Sequence, residues 1–248
     1  MSQMPFYIVW GKPLRPRDST YLFAKGYVKI HKGLWMGRSN SLNADLKPII
    51  DYYSDSITIL KTSRELQKPS ISFEENTYNL GSLILIAYDL PRSIRIRKAV
   101  SRVLKRSPCF KLSPSIYLFP HLKYEKYEGT LLASPSNLIR GIIVYGGRVI
   151  CASRLILVCD YSAKRIIEEF LNSLDERVEH VYNHCLVLEN DVTSEDPKLL
   201  SELKMEVKTL KTLLKFYKSE MGLGLNGVYT KVYKASKILS SLLTSSTK

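Results

Sequence analysis

Apolar and polar residues alternate with strand-like or helix-like spacing along the first quarter of the chain. The run at 27–36 alternates apolar residues with outward Lys29 and His31, as expected for a strand with one exposed face. The predicted elements are strands at 6–10 and 27–36, a helix at 43–53 and a strand at 56–60. Residues 1–65 are therefore predicted to form a small α+β unit, which the polar stretch 66–80 links to the remainder.

The pattern is more complete over residues 81–190. It predicts strands at 83–88, 110–119, 149–158 and 184–188, with helices at 92–106 and 162–179. The order strand-helix-strand-strand-helix-strand is the split βαβ, or ferredoxin-like, arrangement. An insertion at 120–148 separates the two middle strands and is predicted to hold a short helix beginning near Ser136.

Helical spacing returns in the last part of the chain, where 195–246 is predicted to form a helical hairpin. Its first helix carries a heptad-like apolar seam made of Leu200, Leu203, Val207, Leu210, Leu214, Tyr217 and Met221. Such a seam packs either within the chain or against a partner helix, including a second copy. The predicted fold class is therefore α+β, with a small unit at 1–65, a ferredoxin-like unit at 81–190 and a C-terminal helical hairpin.

The composition adds a strong positive charge to this picture. The chain of 248 residues carries 37 Lys+Arg against 23 Asp+Glu, a formal net charge of +14. The excess is spread along the whole chain instead of lying in one tail. A surface of this sign attracts polyanions, so nucleic acid is the expected partner.

The cysteines and the apolar runs indicate an intracellular, cytoplasmic protein. Four widely spaced cysteines form no C-x-x-C pair and lie in apolar runs, as reduced thiols do: Cys109, Cys151, Cys159 and Cys185. No signal peptide is recognised at the N-terminus. The longest apolar region, 138–158, is interrupted by three arginines, so no membrane association is expected.

The predicted helix at 92–106 carries seven basic residues and no acidic one. Ile96, Val100 and Leu104 fall on one side, and cations occupy the other. This face is either simply solvated or binds the phosphate backbone of a nucleic acid. The residues predicted to bind nucleic acid are Arg92, Arg95, Lys98, Arg102, Lys105 and Arg106 of this helix, with Lys29 and Lys32 of the strand at 27–36.

Asp89 ends the strand that precedes this basic helix. A carboxylate at a strand end can hold Mg²⁺, which can activate water near a phosphate. One carboxylate is a poor magnesium site by itself, and Asp before Leu90-Pro91 also fits a helix N-cap. Asp89 is thus a candidate catalytic residue and magnesium ligand, with capping as the alternative.

Two stretches resemble a known family. "LILIAYDLPRSIRIRKAVSRVLKR" followed by "FKLSPSIYLFP" is similar to the first strand, helix and second strand of the CRISPR-associated protein 2 family. It is also similar to the related middle domain of the phenylacetic-acid-degradation repressors. "GYVKIHKGLWMGRSNSLNADLKPIIDYYSDSITIL" resembles the second strand, second helix and following strand of the same family. Together the matches cover roughly 150 residues.

The resemblance implies that residues 1–65 are a ferredoxin-like unit too, either complete or incomplete. The fold it implies is two tandem ferredoxin-like (split βαβ) units plus a C-terminal helical hairpin, a homodimer-like arrangement within one chain. Members of that family pair two ferredoxin-like units with their sheets face to face, which brings two strand-end aspartates together. This chain resembles a tandem version in which the position matching Asp89 falls near Trp10 and Gly11, without a carboxylate. The paired metal site is therefore expected to be halved, whereas the basic helix keeps its binding role.

The remaining candidate site residues are weaker, and each also has an ordinary structural explanation. His180 and His184 are four residues apart and Cys185 follows, which suits either zinc ligation or a helix-to-strand boundary. His31 is either an acid-base group for RNA cleavage or a surface histidine. Three tyrosines interleaved with lysines could stack on unpaired bases, or cluster by chance: Tyr117, Tyr124 and Tyr127.

The sequence thus predicts a non-catalytic nucleic-acid-binding protein that is a basic platform for duplex DNA, in a CRISPR-adaptation-like or a chromatin or regulatory assembly. No cofactor is expected. One alternative is an endoribonuclease that uses Asp89 with Mg²⁺. Another is an RNA-binding structural subunit of a ribonucleoprotein, docked or self-associated through 195–246.

Overall fold

The computed structural model describes residues 5–11, 14–39, 41–53, 56–190 and 197–245. Its strands are β1 Phe6–Gly11, β2 Val28–His31, β3 Leu34–Arg38, β4 Ile57–Thr62, β5 Ser70–Ser72, β6 Thr77–Asn79, β7 Leu83–Asp89, β8 Phe110–Ser113, β9 Ile116–Pro120 and β10 Arg148–Leu157. Its helices are α1 Pro16–Ala24, α2 Leu42–Tyr53, α3 Ile94–Lys105, α4 Pro135–Val144, α5 Asp160–Asn190, α6 Pro197–Met221 and α7 Asn226–Ser245. The predicted α+β class is confirmed.

Eight strands form one antiparallel sheet in the order β2-β3-β1-β4-β10-β7-β9-β8. The sheet has two halves with the same order of elements, β1-α1-β2-β3-α2-β4 and β7-α3-β8-β9-α4-β10. The fourth strands of the halves join them, with Leu155, Ile156 and Leu157 opposite Thr62, Lys61 and Leu60. The register of β10 against β7 shifts between Ala152 and Leu155, and Arg154 there has φ +56°. A bulge of this kind bends a strand.

Each half covers one face of its sheet with its own two helices. In the first half this packing forms a cluster that includes Val9, Ile59, Leu22 and Ile49, and in the second half a cluster made of Ile86, Tyr88, Phe119, Val100 and Leu138 with their neighbours. The alternate residues of the same strands point the other way because successive strand side chains face opposite sides. Ile8 and Leu60 of the first half, with Leu85 and Leu118 of the second, belong to one further buried core.

The three C-terminal helices complete this shared core. Phe170 of α5 lies with its ring centroid 5.1 Å from that of Phe110 and 4.5 Å from that of Tyr217 of α6. All seven residues of the predicted apolar seam are buried. The seam therefore packs within the chain, and α6 and α7 form the predicted hairpin within the described part of 195–246. Residues 195, 196 and 246 lie outside the described residues.

Two predicted strands are hairpins instead. The run at 27–36 turns at Gly33, whose φ is +72°, and the run at 110–119 turns at Pro114 between β8 and β9. Both turns are short polar interruptions, at 31–33 and 113–115, between apolar residues, and a prediction based on the apolar residues alone continues through them. The predicted strands were therefore too long, and the number of strands in each half was underestimated.

Three other expectations are corrected by the structure. The predicted strand at 184–188 is wrong, because α5 continues to Asn190 and buries Val181, Cys185 and Leu188 with helical spacing. The segment 120–148 does not separate two middle strands; it follows β9 and carries α4, the second helix of that half. Helix α1 was not predicted, and the expected linker 66–80 contains the small hairpin of β5 and β6.

Two glycines give opposite expectations for alanine substitution. A Cβ on Gly37 of β3 would lie 2.7 Å from the buried ring of Tyr27, whereas one on Gly141 of α4 would meet nothing within 4 Å. Gly37→Ala should lower the free energy of unfolding by about 1–3 kcal/mol through overpacking. Gly141→Ala should raise it by up to about 1 kcal/mol through helix propensity. Urea denaturation of both variants checks this, and equal effects would contradict the packing described.

Candidate nucleic-acid interface

Helix α3 presents a continuous basic surface to solvent. It begins after Ser93, whose Oγ accepts a hydrogen bond from the Ile96 amide at 3.4 Å, and its apolar side buries Val100. Seven cations in or next to it are exposed: Arg92, Arg95, Arg97, Lys98, Arg102, Lys105 and Arg106. Within the described part of the chain none of the seven forms an ion pair with an acidic side chain. We call this surface the α3 basic face.

Asp89 does not cap α3, because Ser93 has that position. The capping alternative for Asp89 is therefore wrong. Its carboxylate instead contacts the first half of the chain: His31 Nε2 lies 3.2 Å from Asp89 Oδ1. The side chain of Asp89 is 73% exposed, so part of the carboxylate still faces solvent.

The side chain of His31 is buried, whereas strand alternation predicts an outward one. Its side chain is 5% exposed, and its Nδ1 has no partner among the described residues. The turn that carries it is held close to the end of β1, where the Gly11 amide donates to the Gly33 carbonyl at 3.1 Å. A Cβ on Gly33 would lie 2.7 Å from the Gly11 oxygen, so this approach requires glycine.

The His31–Asp89 contact brings the two predicted sets of binding residues to the same region. Lys29 and Lys32 flank His31 and are exposed. Asp89 ends the strand that leads into the α3 basic face. Lys29, Lys32 and the cations of α3 are more than 60 residues apart in sequence. They thus lie on one side of the junction between the halves.

Two clefts lie at this junction. The first, which we call the lysine cleft, has a volume of about 610 Å³ and is lined by Trp10, Leu14, Lys29, Lys32, Ser113 and Ser115, among others. The second, the aspartate cleft, has about 480 Å³ and is lined by Asp89, Arg97, Lys111 and Tyr117, among others. Both also contact Pro114 and Ser115, so the turn between β8 and β9 stands between them.

Two tyrosines hold that turn in place. The hydroxyls of Tyr88 and Tyr117 both donate to the Pro114 carbonyl, at 3.1 and 3.4 Å, and their rings stack nearly parallel. Burial raises the pKa of each hydroxyl above its ordinary value. Both therefore stay protonated at physiological pH, where they are hydrogen-bond donors that fix the wall shared by the clefts.

Sequence reasoning missed Arg97 and Lys111 as site residues. Arg97 was counted among the basic residues of the helix but not assigned to its binding face, and Lys111 is a single exposed lysine in a strand. Their position beside Asp89 depends on how α3 and β8 pack, for which the local pattern has no signal.

The acidic chemistry of the site is sparse. β1 ends at Gly11 where β7 ends at Asp89, so the corresponding position of the first half has no carboxylate. No group of three or more His, Cys, Asp or Glu able to hold a metal ion occurs among the described residues. His180 and His184 lie side by side on the exposed side of α5, but Cys185 is buried, so the three do not converge.

The proposed base-stacking tyrosines are mostly in the core. Tyr117 and Tyr127 are buried, and the Tyr127 ring packs 5.8 Å from that of Phe216. Of the three, Tyr124 alone is exposed, at 63%. A stacking row is therefore not formed.

Comparison of the chain with models of protein families, with curated proteins and with solved structures finds no significant match. The resemblance to the CRISPR-associated protein 2 family stays a prediction that comes from the motifs. None of the described helices is long and apolar enough to cross a membrane.

The His31–Asp89 contact predicts a measurable coupling between the halves. His31→Ala should destabilise the fold more than Asp89→Ala, because His31 is buried and Asp89 is largely exposed. The double variant should show a coupling energy of about 0.2–1 kcal/mol, the range of solvent-screened pairs. Urea denaturation of the four proteins measures it. His31→Ala combined with Glu128→Ala, an exposed acid elsewhere, should be additive; the same additivity for His31 and Asp89 would contradict the contact.

Proposed function

We propose that the chain is a non-catalytic nucleic-acid-binding protein that docks the phosphate backbone of duplex DNA on the α3 basic face. The observation that carries the proposal is the seven exposed cations of residues 92–106 without an acidic partner among the described residues. Like charges one helical turn apart destabilise a helix by about 0.2–0.5 kcal/mol per pair. A polyanion laid along the helix removes that repulsion.

The dimensions of α3 suit a duplex backbone. Its 12 residues span about 18 Å at 1.5 Å per residue. A B-form duplex carries one phosphate charge per roughly 1.7 Å of axis, both strands counted, so about ten charges lie within that length and a part of them faces the helix. Contacts of lysine and arginine with phosphates confer affinity and orientation, and little preference for base sequence.

We also propose that the two halves are tandem ferredoxin-like units, a degenerate relative of the face-to-face dimer of the CRISPR-associated protein 2 family. Support comes from the repeated order of elements and from the repeated strand order, in which the first strand lies between the fourth and the third. The other faces of the two halves of the sheet also contribute to one core. In this proposal the platform belongs to a CRISPR-adaptation-like or a chromatin or regulatory assembly.

One observation favours a second candidate, a Mg²⁺-dependent endoribonuclease. Asp89 is exposed at a strand end and borders the aspartate cleft, as a metal ligand does. A single carboxylate is too few for a magnesium site, which ordinarily combines one or two carboxylates with substrate phosphates. Catalysis would therefore need ligands from the substrate or from a second chain.

The duplex-binding proposal predicts that α3 is the sensitive element. Arg95→Gln, Lys98→Gln and Arg102→Gln together should weaken binding of a 20-base-pair duplex by at least about 30-fold near 100 mM salt, because three phosphate contacts are lost. Filter binding measures this. The matched control replaces three exposed lysines of α6, Lys204, Lys208 and Lys215, with glutamine and should change the affinity less than about threefold. Equal losses in both variants would mean that net charge, and not this face, determines binding.

Asp89→Asn separates the two candidate functions. If the protein is a platform, the variant binds duplex DNA as well as the native chain or up to about threefold tighter, since one negative charge near the cations is removed. Neither protein should cleave labelled RNA or DNA in the presence of Mg²⁺. Cleavage by the native chain that the substitution abolishes would establish the nuclease and refute the non-catalytic proposal.

A further inference from the structure

We propose that the lysine cleft binds the unpaired nucleotides at the end of a DNA strand, next to the duplex on the α3 basic face. The proposal rests on the proposed duplex binding and adds a second subsite to it. It assigns Lys29 and Lys32 to the strand end and the cations of α3 to the duplex.

The size of the lysine cleft suits single nucleotides better than a duplex. Its volume of about 610 Å³ corresponds to a cube with an edge of about 8.5 Å. A duplex is wider than this edge, because its major groove alone is about 12 Å across. The volume lies within the roughly 300–1,000 Å³ typical of pockets for small ligands. One or two unpaired nucleotides therefore match the space, and a base-paired segment does not.

The lining has the two kinds of chemistry that a nucleotide needs. Lys29 and Lys32 supply cations, and neither forms an ion pair with an acidic side chain in the described part of the chain. Ser113 and Ser115 place hydroxyl-bearing residues on the opposite wall. Leu14 is partly exposed and adds apolar surface for a base, whereas Trp10 is 6% exposed and contributes only its edge. A positively charged groove is the part of a single-stranded nucleic-acid site that follows the backbone of the strand.

The walls of the lysine cleft come from different halves of the chain, so its width depends on their contact. β2 and the end of β1 form one wall, and the turn between β8 and β9 forms the other. The His31–Asp89 pair fixes the first wall against the second half. The two tyrosine hydroxyls on the Pro114 carbonyl fix the second. The site is therefore formed before the ligand arrives, which reduces the entropic cost of binding.

A strand that leaves the duplex has a basic route to this cleft. The aspartate cleft contains Arg97 of α3 and Lys111, and it shares Pro114 and Ser115 with the lysine cleft. Asp89 borders this route, and His31 Nε2 lies 3.2 Å from one of its two carboxylate oxygens. A strand that leaves the duplex on α3 thus passes Arg97 and Lys111 first and then reaches Lys29 and Lys32.

The test compares two probes and three variants of the full chain. The probes are a fluorescein-labelled, 5′-phosphorylated deoxytetranucleotide and a labelled blunt 20-base-pair duplex, both followed by fluorescence polarisation at low salt. The first variant combines Lys29→Gln with Lys32→Gln, and the second is the triple glutamine variant of α3. The control combines Lys204→Gln with Lys208→Gln and removes the same two charges as the first variant.

The proposal predicts that the lysine-cleft variant and the α3 variant change the preference between the two probes in opposite directions. Loss of Lys29 and Lys32 should weaken tetranucleotide binding about 10-fold, and at least three times more than it weakens duplex binding. The α3 variant should show the reverse, and the control should leave both affinities within about twofold. All substituted residues are exposed, so folding is preserved, and circular dichroism verifies it.

Two outcomes separate this proposal from the proposed function. If the native chain binds the duplex but not the tetranucleotide, or if both probes lose affinity equally when Lys29 and Lys32 are replaced, the strand-end site is refuted and the platform stands. If the native chain binds the tetranucleotide and not the duplex, the platform is refuted and the cleft stands.

Discussion

The rest of the structure depends on one constraint. Each half buries the second face of its strands in a core that both halves share. The helices of each half cover only one side of its strands, and Ile8, Leu60, Leu85 and Leu118 would otherwise be an exposed apolar surface. Joining β4 to β10 and bending the sheet near Arg154 lets the C-terminal helices close this core. The same packing brings the β2–β3 turn of the first half to the end of β7 in the second.

That juxtaposition determines the electrostatics of the candidate interface. His31 reaches Asp89 at 3.2 Å, so the acid at the strand end has an imidazole partner from the other half. The cations around it have no such partners among the described residues. Part of the net charge of +14 therefore lies on one surface, made of the α3 basic face and the two clefts next to it. Binding a polyanion there offsets a repulsion that the fold itself leaves in place.

Local periodicity was enough to predict most strands and the basic face, because both depend on side chains a few residues apart. It failed where tertiary packing decides the outcome. Residues 184–188 look like a strand, yet Cys185 and Leu188 are buried with helical spacing in α5. Pro114 turns an apolar run into a hairpin. The contact of His31 with Asp89 joins residues 58 apart, and Arg97 and Lys111 reach the site only because α3 and β8 pack side by side. No single-sequence pattern encodes such contacts.

The salt dependence of duplex binding tests the central claim most directly. For a backbone contact, log Kobs falls linearly with log salt concentration, by about 0.9 for each phosphate contacted. We expect the native chain to show a slope of at least about −4, and the triple glutamine variant of α3 a slope smaller by roughly 2.7. An affinity that stays constant from dilute to physiological salt, or a slope that is unchanged by the loss of three α3 cations, would contradict the claim that this surface binds the phosphate backbone.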